Sequence, residues 1–471
     1  MTPTTVVFTL IFCSTVLLAP RRWAILAVIA ALVYLPQSGG VDAFGLRMFP
    51  ARFLELAGFI RVISKHEFQW RQLNRLDWVI ITAYAYVTII FALRSAVGSG
   101  ALTSTMATPL SKFGEFVDML FMYLTFRGFI RDQQDIKWVL QRSVTLLLPF
   151  VGVVFLERLT GHNPLAIFGA EPTVWIDEEG GRIRCYGSFS HPALLGTFGA
   201  SFAVMYVGLA VASTRQMLGW VGISLCMAIV VLSGSGGPVT MLMVGILGWL
   251  SWPIRTKMKL LRIAIFAVLV LLAFIMRDPI WYLPSKMSML TGGSGWHRSY
   301  LMNQAITYMD QWWLAGMPLD LTANWFPYLV HGAADLTNVY VAFGVDGGLI
   351  AMLLLIRVLV CAFGEVGSAA KAFREAVPPC KDNELLTWGL GAAVATHMAN
   401  FFSITYFDQT ASLWLFQLAA ISTISMMRPI RADGSGRPES ESMHRVTFTR
   451  FVRRRAGRMQ SDPRPSARRH E

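Results

Sequence analysis

Long apolar runs separated by short polar stretches dominate the chain up to about residue 430. Each run is about 17–25 residues long and is bounded by Arg, Lys, Gly or Pro, which is typical of helices that cross a bilayer. The pattern predicts an all-α, polytopic helical membrane protein with about 12–13 transmembrane helices. The predicted spans are residues 3–19, 23–36, 43–62, 77–96, 113–130, 138–156, 192–212, 217–233, 237–253, 260–276, 338–361, 385–403 and 411–427.

Lys and Arg concentrate in alternate loops between these spans. Because basic loops face the cytoplasm, the two long polar loops, 157–191 and 277–337, are predicted on the outer face, which in a bacterium is the periplasm. Residues 1–428 then form the transmembrane domain. Residues 429–471 form a basic cytoplasmic tail, rich in Arg, Ser and Pro, that is predicted to be disordered.

Hydrophobic content, charge and cysteine spacing favour some classes of function over others. The chain is 54% hydrophobic and 15% charged, with a net charge of +13, and the segment from Arg428 onward contributes +7 of that total. A basic segment directly after a span favours contact with anionic lipid over nucleic acid. The five cysteines lack metal or redox spacing, so neither a disulfide framework nor a zinc site is predicted.

The first chemical motif closes the first outer loop. Arg182 and Arg184 precede Gly187, and a span begins at His191 and Pro192. Arginine at a membrane–water boundary binds phosphate well, because its guanidinium stays charged and donates in a fork. The competing interpretation is that these arginines only anchor a helix end.

The second motif, Gly292-Gly293-Ser294-Gly295-Trp296-His297-Arg298, lies in the second outer loop. The apolar spacing that follows predicts an amphipathic helix on the membrane surface, with Arg298 in its first turn. An interfacial anchor is again the competing interpretation. The apolar positions are Leu301, Met302, Ala305, Ile306, Met309 and Trp313.

The third motif is a polar cluster at the outer mouth of a span. It comprises His331 and the segment Asp335-Leu336-Thr337-Asn338-Val339-Tyr340, and Gly347-Gly348 follow within the span. A lone histidine in a loop is more often a surface residue than a catalytic one. The two arginine motifs favour the catalytic interpretation, because they are predicted on the same face.

Together these motifs resemble those of the O-antigen ligase and O-antigen polymerase superfamily, over roughly residues 80–425. The segment Arg184-Cys185-Tyr186-Gly187 resembles the family's Arg-x-x-Gly element, and Gly295 to Arg298 resembles its Gly-Arg element. Thr337-Asn338 occupies the place of a family His-Asn pair, so the family histidine is absent there. The segment 233–237, Ser-Gly-Ser-Gly-Gly, lacks the arginine of a family Ser-Arg-Gly element.

The resemblance implies an inverting glycosyltransferase of the bacterial inner membrane. Its donor would be a glycan on a polyprenyl pyrophosphate, and its acceptor a saccharide or a lipid, with other polysaccharide-assembly proteins as possible partners. Arg182, Arg184 and Arg298 would neutralise the leaving pyrophosphate electrostatically, so neither a metal nor a cofactor is predicted. The further predicted substrate contacts are His191, His297 and Tyr340.

Elimination among the outer-face histidines assigns the general base to His331. Asp335 would orient it, or would itself be a carboxylate base, and Asn338 would orient the base or bind a sugar. A pH–rate profile separates the two bases, because its acid limb lies near 6–7 for histidine and near 4–5 for aspartate.

Transport is the competing function class. Polar groups within predicted spans are typical of carriers and flippases of lipid-linked oligosaccharides. A pocket open sideways to lipid would favour the enzyme, whereas a central cavity at the bilayer midplane would favour the carrier. A scaffold role in an envelope complex is a third possibility. The polar groups are Arg52 with Glu55, Glu115 with Asp118, and His397 with Asn400.

Overall fold

The computed structural model describes most of the predicted transmembrane domain. The described residues are 1–43, 46–68, 70, 73–97, 108–176, 181–212, 215–286, 295–325, 329–330 and 333–427. His331, Gly292, Gly293, Ser294 and the predicted tail lie outside them. Helices dominate the described residues, which confirms the all-α polytopic class.

Fifteen α-helices of four residues or more have bounds within the described residues. Six are long and apolar enough to cross a membrane: α4, α6, α7, α8, α10 with the turn before it, and α13. The total of 12–13 spans stays a prediction. The helices are α1 (Pro3–Leu18), α2 (Arg21–Tyr34), α3 (Pro50–Ser64), α4 (Arg75–Val97), α5 (Pro109–Phe129), α6 (Gln133–Thr160), α7 (Pro192–Ala210), α8 (Gln216–Ser233), α9 (Gly236–Leu250), α10 (Met258–Ile275), α11 (Gly295–Thr307), α12 (Met309–Trp312), α13 (Val339–Arg374), α14 (Lys381–Asn400) and α15 (Asp408–Ser425).

Capping residues set the two ends of α6 and the starts of α7 and α13. The Asp132 side chain accepts the Asp135 N–H at the start of α6, and Gly161, at φ 72°, ends the helix. His191 and Asn338 cap α7 and α13 in the same way, through side-chain acceptors. His191, which sequence analysis assigned to the substrate, and Asn338, which it assigned to catalysis, therefore also have a structural role.

Three short antiparallel hairpins occur between the helices. Strand β1 (Val41–Ala43) pairs with β2 (Leu46–Met48), β3 (Trp175–Ile176) with β4 (Ile183–Arg184), and β5 (Leu329–Val330) with β6 (Ala333–Ala334). The second hairpin places Trp175 directly opposite Arg184. Opposite residues in an antiparallel pair lie close enough for their side chains to interact.

Among the described residues, the salt bridges with the most buried carboxylates lie at one end of the helix bundle. At the end where α2, α4, α6 and α14 begin, arginines pair with buried or nearly buried carboxylates at N···O distances of 2.5–3.0 Å. We call this the ion-paired end. The loop end is the opposite one, where α6, α8 and α14 finish and α7, α9, α13 and α15 begin. The pairs of the ion-paired end are Arg21 and Arg22 with Asp135, Arg61 with Glu67, Arg127 with Asp77, and Arg255 and Arg374 with Glu384.

Helix burial varies from complete to none. Almost every residue of α7 is buried, and this helix packs against α8, α9 and α14 at the centre of the bundle. No residue of α10 is buried, so its apolar side chains face outward all round. A helix that is apolar on every side and unburied is stable only in lipid, which agrees with a membrane-spanning α10.

The second long loop has a small core of its own. Leu301 and Ala305 on one face of α11 pack with Trp312 and Trp325, and the indole N–H of Trp312 donates to the Ala305 carbonyl over 2.8 Å. The predicted helix is therefore present, but its buried face is narrower than the apolar spacing indicated. Exposed members of the predicted face are Ile306, Met309 and Trp313.

A break in α13 fastens this loop to the bundle. Gly347 and Gly348 depart from helical geometry, with Gly348 at φ 76°. The N–H of Leu349, just past the break, donates to the Trp313 carbonyl over 2.7 Å, and the Met317 N–H donates to the Val345 carbonyl over 2.8 Å. The loop thus satisfies backbone groups that a continuous helix would have paired internally.

Candidate functional site

Arg184 lies at the loop end, where the β3–β4 hairpin meets the turn between α8 and α9. One Nη donates to the Ser235 hydroxyl over 2.7 Å, and the guanidinium carbon lies 5.4 Å from the ring centre of Trp175. This cation–π contact and the hydroxyl hold the guanidinium in one place.

A buried carboxylate positions the segment that follows Arg184. Glu157, at the end of α6, accepts the backbone N–H groups of Tyr186 and Gly187 over 2.7 and 2.9 Å. The Cys185 N–H donates to the Leu232 carbonyl of α8 over 3.1 Å. The backbone on the C-terminal side of Arg184 is therefore fixed to two membrane helices.

Glycines let the α8–α9 turn approach both motif arginines. Gly234 has φ 59°, and a Cβ there would lie 2.9 Å from Cγ of Arg184. A Cβ on Gly237 would lie 3.1 Å from Cβ of Ser403 and 3.5 Å from an Nη of Arg298. The segment 233–237, which lacks the arginine of the family's Ser-Arg-Gly element, thus contacts two arginines from other segments.

Arg298 reaches the same turn from the first turn of α11. Its Nε donates to the Ser403 carbonyl over 3.1 Å. Burial, and then the positive charge of Arg184, lower the pKa of Arg298 to about 10. The two motif arginines, 114 positions apart in the sequence, are therefore close enough to repel each other.

His191 completes the group at the start of α7. Its Nδ1 accepts the Ala193 N–H over 3.0 Å, so in the neutral ring the proton is on Nε2, which can only donate. Burial, followed by the charges of Arg184 and Arg298, lowers the pKa of His191 to about 4. At neutral pH this histidine is a hydrogen-bond donor and cannot serve as a general base through Nε2.

The assembled group attracts anions. Two guanidinium groups lie at the N-terminus of α9, where Ser235 makes no side-chain capping bond to the helix, and the His191 imidazole contacts the Trp175 ring beside Arg184. Helix N-termini present unpaired N–H groups and a positive dipole end, and arginines bind phosphate through paired donors. Like-charged groups held together in partial burial are stabilised most by an anion between them. The arrangement suits a phosphate-bearing ligand at the membrane boundary.

Three other predicted site residues lie outside this group. Arg182 is exposed at the surface. The Asn338 Oδ1 accepts the Val341 N–H over 3.1 Å as the cap of α13, and its side chain is buried. The Tyr340 hydroxyl donates to the Met398 carbonyl over 3.0 Å. The Asn338 contact caps α13, and the Tyr340 contact joins α13 to α14.

His297 and Asp335 lie beside each other at the edge of the site. The imidazole donates to the backbone carbonyl of Asp335, and the Asp335 carboxylate also opposes the lowering of the His297 pKa that burial causes. Burial raises the pKa of Asp335, and His297 partly offsets that rise. Asp335, which sequence analysis paired with His331, thus has His297 as a neighbour in the described residues.

Sequence analysis missed Trp175, Glu157 and Ser403, and it treated Ser235 only as part of a departure from the family pattern. None of them lies in a recognised motif. The available signals were a tryptophan within a charged loop and a serine among glycines. Within the described part of the chain, no cluster of three or more His, Cys, Asp or Glu residues could hold a metal ion.

No protein-family model matches this chain, and no curated protein matches it either. The chemistry of the site is therefore the basis for assigning a function.

Proposed function

We propose that the protein is a glycosyltransferase of the bacterial inner membrane, of the O-antigen ligase or polymerase type. It transfers a glycan from a polyprenyl pyrophosphate to a saccharide or lipid acceptor at the periplasmic face. The observation that carries the proposal is the convergence of Arg184, Arg298 and His191 at the loop end of the bundle. A pyrophosphate carries the negative charge that these groups attract.

An apolar groove next to the site supports a lipid-linked donor. It has a volume of about 500 Å³ and lies between α6 and α8, with Phe155 and Val231 among its lining side chains. Both are largely exposed on the outer surface of the bundle, where acyl chains would contact them. Leu232, which also lines the groove, accepts the Cys185 N–H beside Arg184. A lipid tail in this groove would bring its pyrophosphate to the arginines.

The reaction is a single displacement at the anomeric carbon. The acceptor oxygen forms a bond to that carbon from the face opposite the leaving group, and the bond to the pyrophosphate oxygen breaks. Arg184, Arg298 and the Nε2–H of His191 stabilise the negative charge that develops on the pyrophosphate. The acceptor proton moves to a base from the second long loop, for which His331 is the first candidate and Asp335 the second.

Buried polar groups that would suit a transport pathway are engaged with each other. His397 is hydrogen-bonded to Tyr406 over 2.7 Å and to Gln417 over 2.9 Å. Arg52 forms a salt bridge with Asp118 over 2.7 Å. Residues that bind a moving substrate need contacts that they can exchange. This observation favours the enzyme over the carrier.

The test is the lipid-linked glycan that accumulates in a strain lacking the gene. We expect donor to accumulate at the periplasmic leaflet, and complementation by wild type but not by Arg298→Ala. Short repeat units on the carrier indicate a polymerase, whereas long chains stranded on it indicate a ligase. Arg142→Ala is the matched control, since Arg142 is an exposed arginine outside the site. Accumulation at the cytoplasmic leaflet would instead identify a flippase and reject the proposal.

A further inference from the structure

We propose that Trp175, with Tyr186 beside it, forms the subsite that binds the first sugar of the donor glycan, next to the pyrophosphate. This inference rests on the proposed function and names a determinant of its specificity. Trp175 belongs to no motif and lies on β3, the strand opposite Arg184.

The position of the indole follows from three contacts. The guanidinium carbon of Arg184 lies 5.4 Å from its ring centre, and the His191 ring meets it edge-on at 5.5 Å and 71°. The Tyr186 ring is tilted by 33° at 6.4 Å. Trp175 therefore contacts two of the three groups assigned to the pyrophosphate, so a ligand held there lies within reach of the indole.

The indole keeps a free surface despite these contacts. With the neighbouring rings and the guanidinium in place, 40% of Trp175 remains exposed. The backbone beneath the neighbouring Tyr186 is held by Glu157. An exposed, positioned aromatic ring beside a charged pocket is a suitable surface for a ligand that is polar at its edges and has apolar C–H faces.

A pyranose ring has this chemistry. Its axial C–H groups form apolar faces that stack on an indole, while its hydroxyls remain at the rim and in water. In the donor, the first sugar is bonded through its anomeric carbon to the pyrophosphate. A pyrophosphate between Arg184 and Arg298 leaves that sugar adjacent to the nearest exposed aromatic surface of the hairpin, which is Trp175.

Two other roles for Trp175 make different predictions. An interfacial anchor would affect membrane insertion and no ligand selectively. A ring that only holds Arg184 in place would affect every pyrophosphate ligand equally, with or without a sugar. A sugar subsite affects the glycosylated ligand more than the sugar-free one. Comparing a sugar-bearing lipid with its sugar-free counterpart therefore separates the three roles.

The experiment measures the binding of two lipids to purified protein in nanodiscs. One is undecaprenyl pyrophosphate, and the other is the lipid-linked donor extracted from the deletion strain. For Trp175→Leu we expect the glycosylated lipid to lose roughly tenfold more affinity than the sugar-free lipid, which is the loss of about one aromatic contact. The sugar-free lipid loses only what the contact between Trp175 and Arg184 contributes to positioning that arginine. Trp175→Phe should show a smaller selective loss of affinity for the glycosylated lipid, since it keeps an aromatic face.

The control is Trp23→Leu, at the ion-paired end. Trp23 is 50% exposed and also meets a second aromatic ring edge-on, that of Trp138 at 5.2 Å, so it matches Trp175 in exposure and packing. We expect it to leave both affinities unchanged. Equal loss of both lipids in Trp175→Leu, or no loss of either, would overturn the subsite. Failure of wild-type protein to bind undecaprenyl pyrophosphate would instead overturn the proposed function.

Discussion

Arg127 and Arg298, which lie at opposite ends of the bundle, have opposite electrostatic surroundings. At the ion-paired end, Arg127 is buried against the fully buried carboxylate of Asp77 over 2.9 Å, and Ser422 and Tyr123 complete the hydrogen bonds of that carboxylate. At the loop end, Arg298 is repelled by another arginine, Arg184, and its Nε donates to a neutral carbonyl, that of Ser403.

This difference distinguishes an arginine whose charge stabilises the fold from an arginine whose charge would bind a ligand. A buried arginine with a hydrogen-bonded carboxylate has its charge balanced within the fold. Arg298 lies close enough to Arg184 for the two charges to repel each other, so an anion bound between them would stabilise both. Replacing Arg127 should therefore lower stability, whereas replacing Arg298 should lower activity.

The largest stability effect should come from Arg127→Ala. This change leaves Asp77 buried and unbalanced, which typically costs about 3–5 kcal/mol. Unfolding of the purified protein in detergent measures the loss. Arg142→Ala serves as the control, because Arg142 is exposed, lies over the Trp138 ring and forms no salt bridge with the carboxylates that the structure describes. An unchanged unfolding transition in Arg127→Ala would contradict the structural assignment.

Arg298→Ala should have the reverse profile. Transfer activity should fall by about 100- to 1000-fold, as when one donor to a developing oxyanion is removed. Stability should stay level or rise slightly, because repulsion from Arg184 is relieved. Arg298→Lys should recover little activity, since an ammonium cannot make the forked contact. A loss of stability similar to that of Arg127→Ala would make Arg298 a structural residue.

Protonation of His191 should make the stability of the protein depend on pH. Its folded-state pKa of about 4 lies below the ordinary 6.5, so the unfolded state binds the proton more readily. His191 therefore costs no stability above pH 6.5, and its destabilising contribution grows as pH falls from 6.5 towards about 4. His191→Asn keeps an acceptor for the Ala193 N–H but cannot titrate. We expect a smaller fall in melting temperature for this variant across that range, and identical pH profiles would reject the assignment.

The smallest effect should come from Arg182→Ala. Arg182 is exposed, and a solvated charge near a site contributes little, so transfer should change by less than about threefold. Measuring Arg182→Ala beside Arg184→Ala tests whether burial distinguishes the two arginines of the first motif. Equal losses in both would return Arg182 to the pyrophosphate site.

Sequence analysis predicted the helical class and two of the three groups in the assembled anion site by type, Arg184 and Arg298, while assigning His191 to the substrate. Apolar run length and the chemistry of boundary arginines carry that information locally. The role of Ser403 was not predictable, because its contact with Arg298 joins segments more than 100 positions apart. His191 was recognisable as a polar residue before a span, but its tautomer depends on one backbone N–H, that of Ala193.

The break in α13 has a consequence for how such loops change during evolution. The loop is fastened there through main-chain atoms of Trp313, Met317, Val345 and Leu349, and Arg94 adds donations to carbonyls at the same place. Main-chain attachments depend little on the side chains of the attached segment, except at Gly316, where a Cβ would clash with the Val345 carbonyl oxygen. Selection can then replace most side chains of the loop while its position over the bundle persists. Two chains can therefore share this architecture long after their loops have ceased to resemble each other.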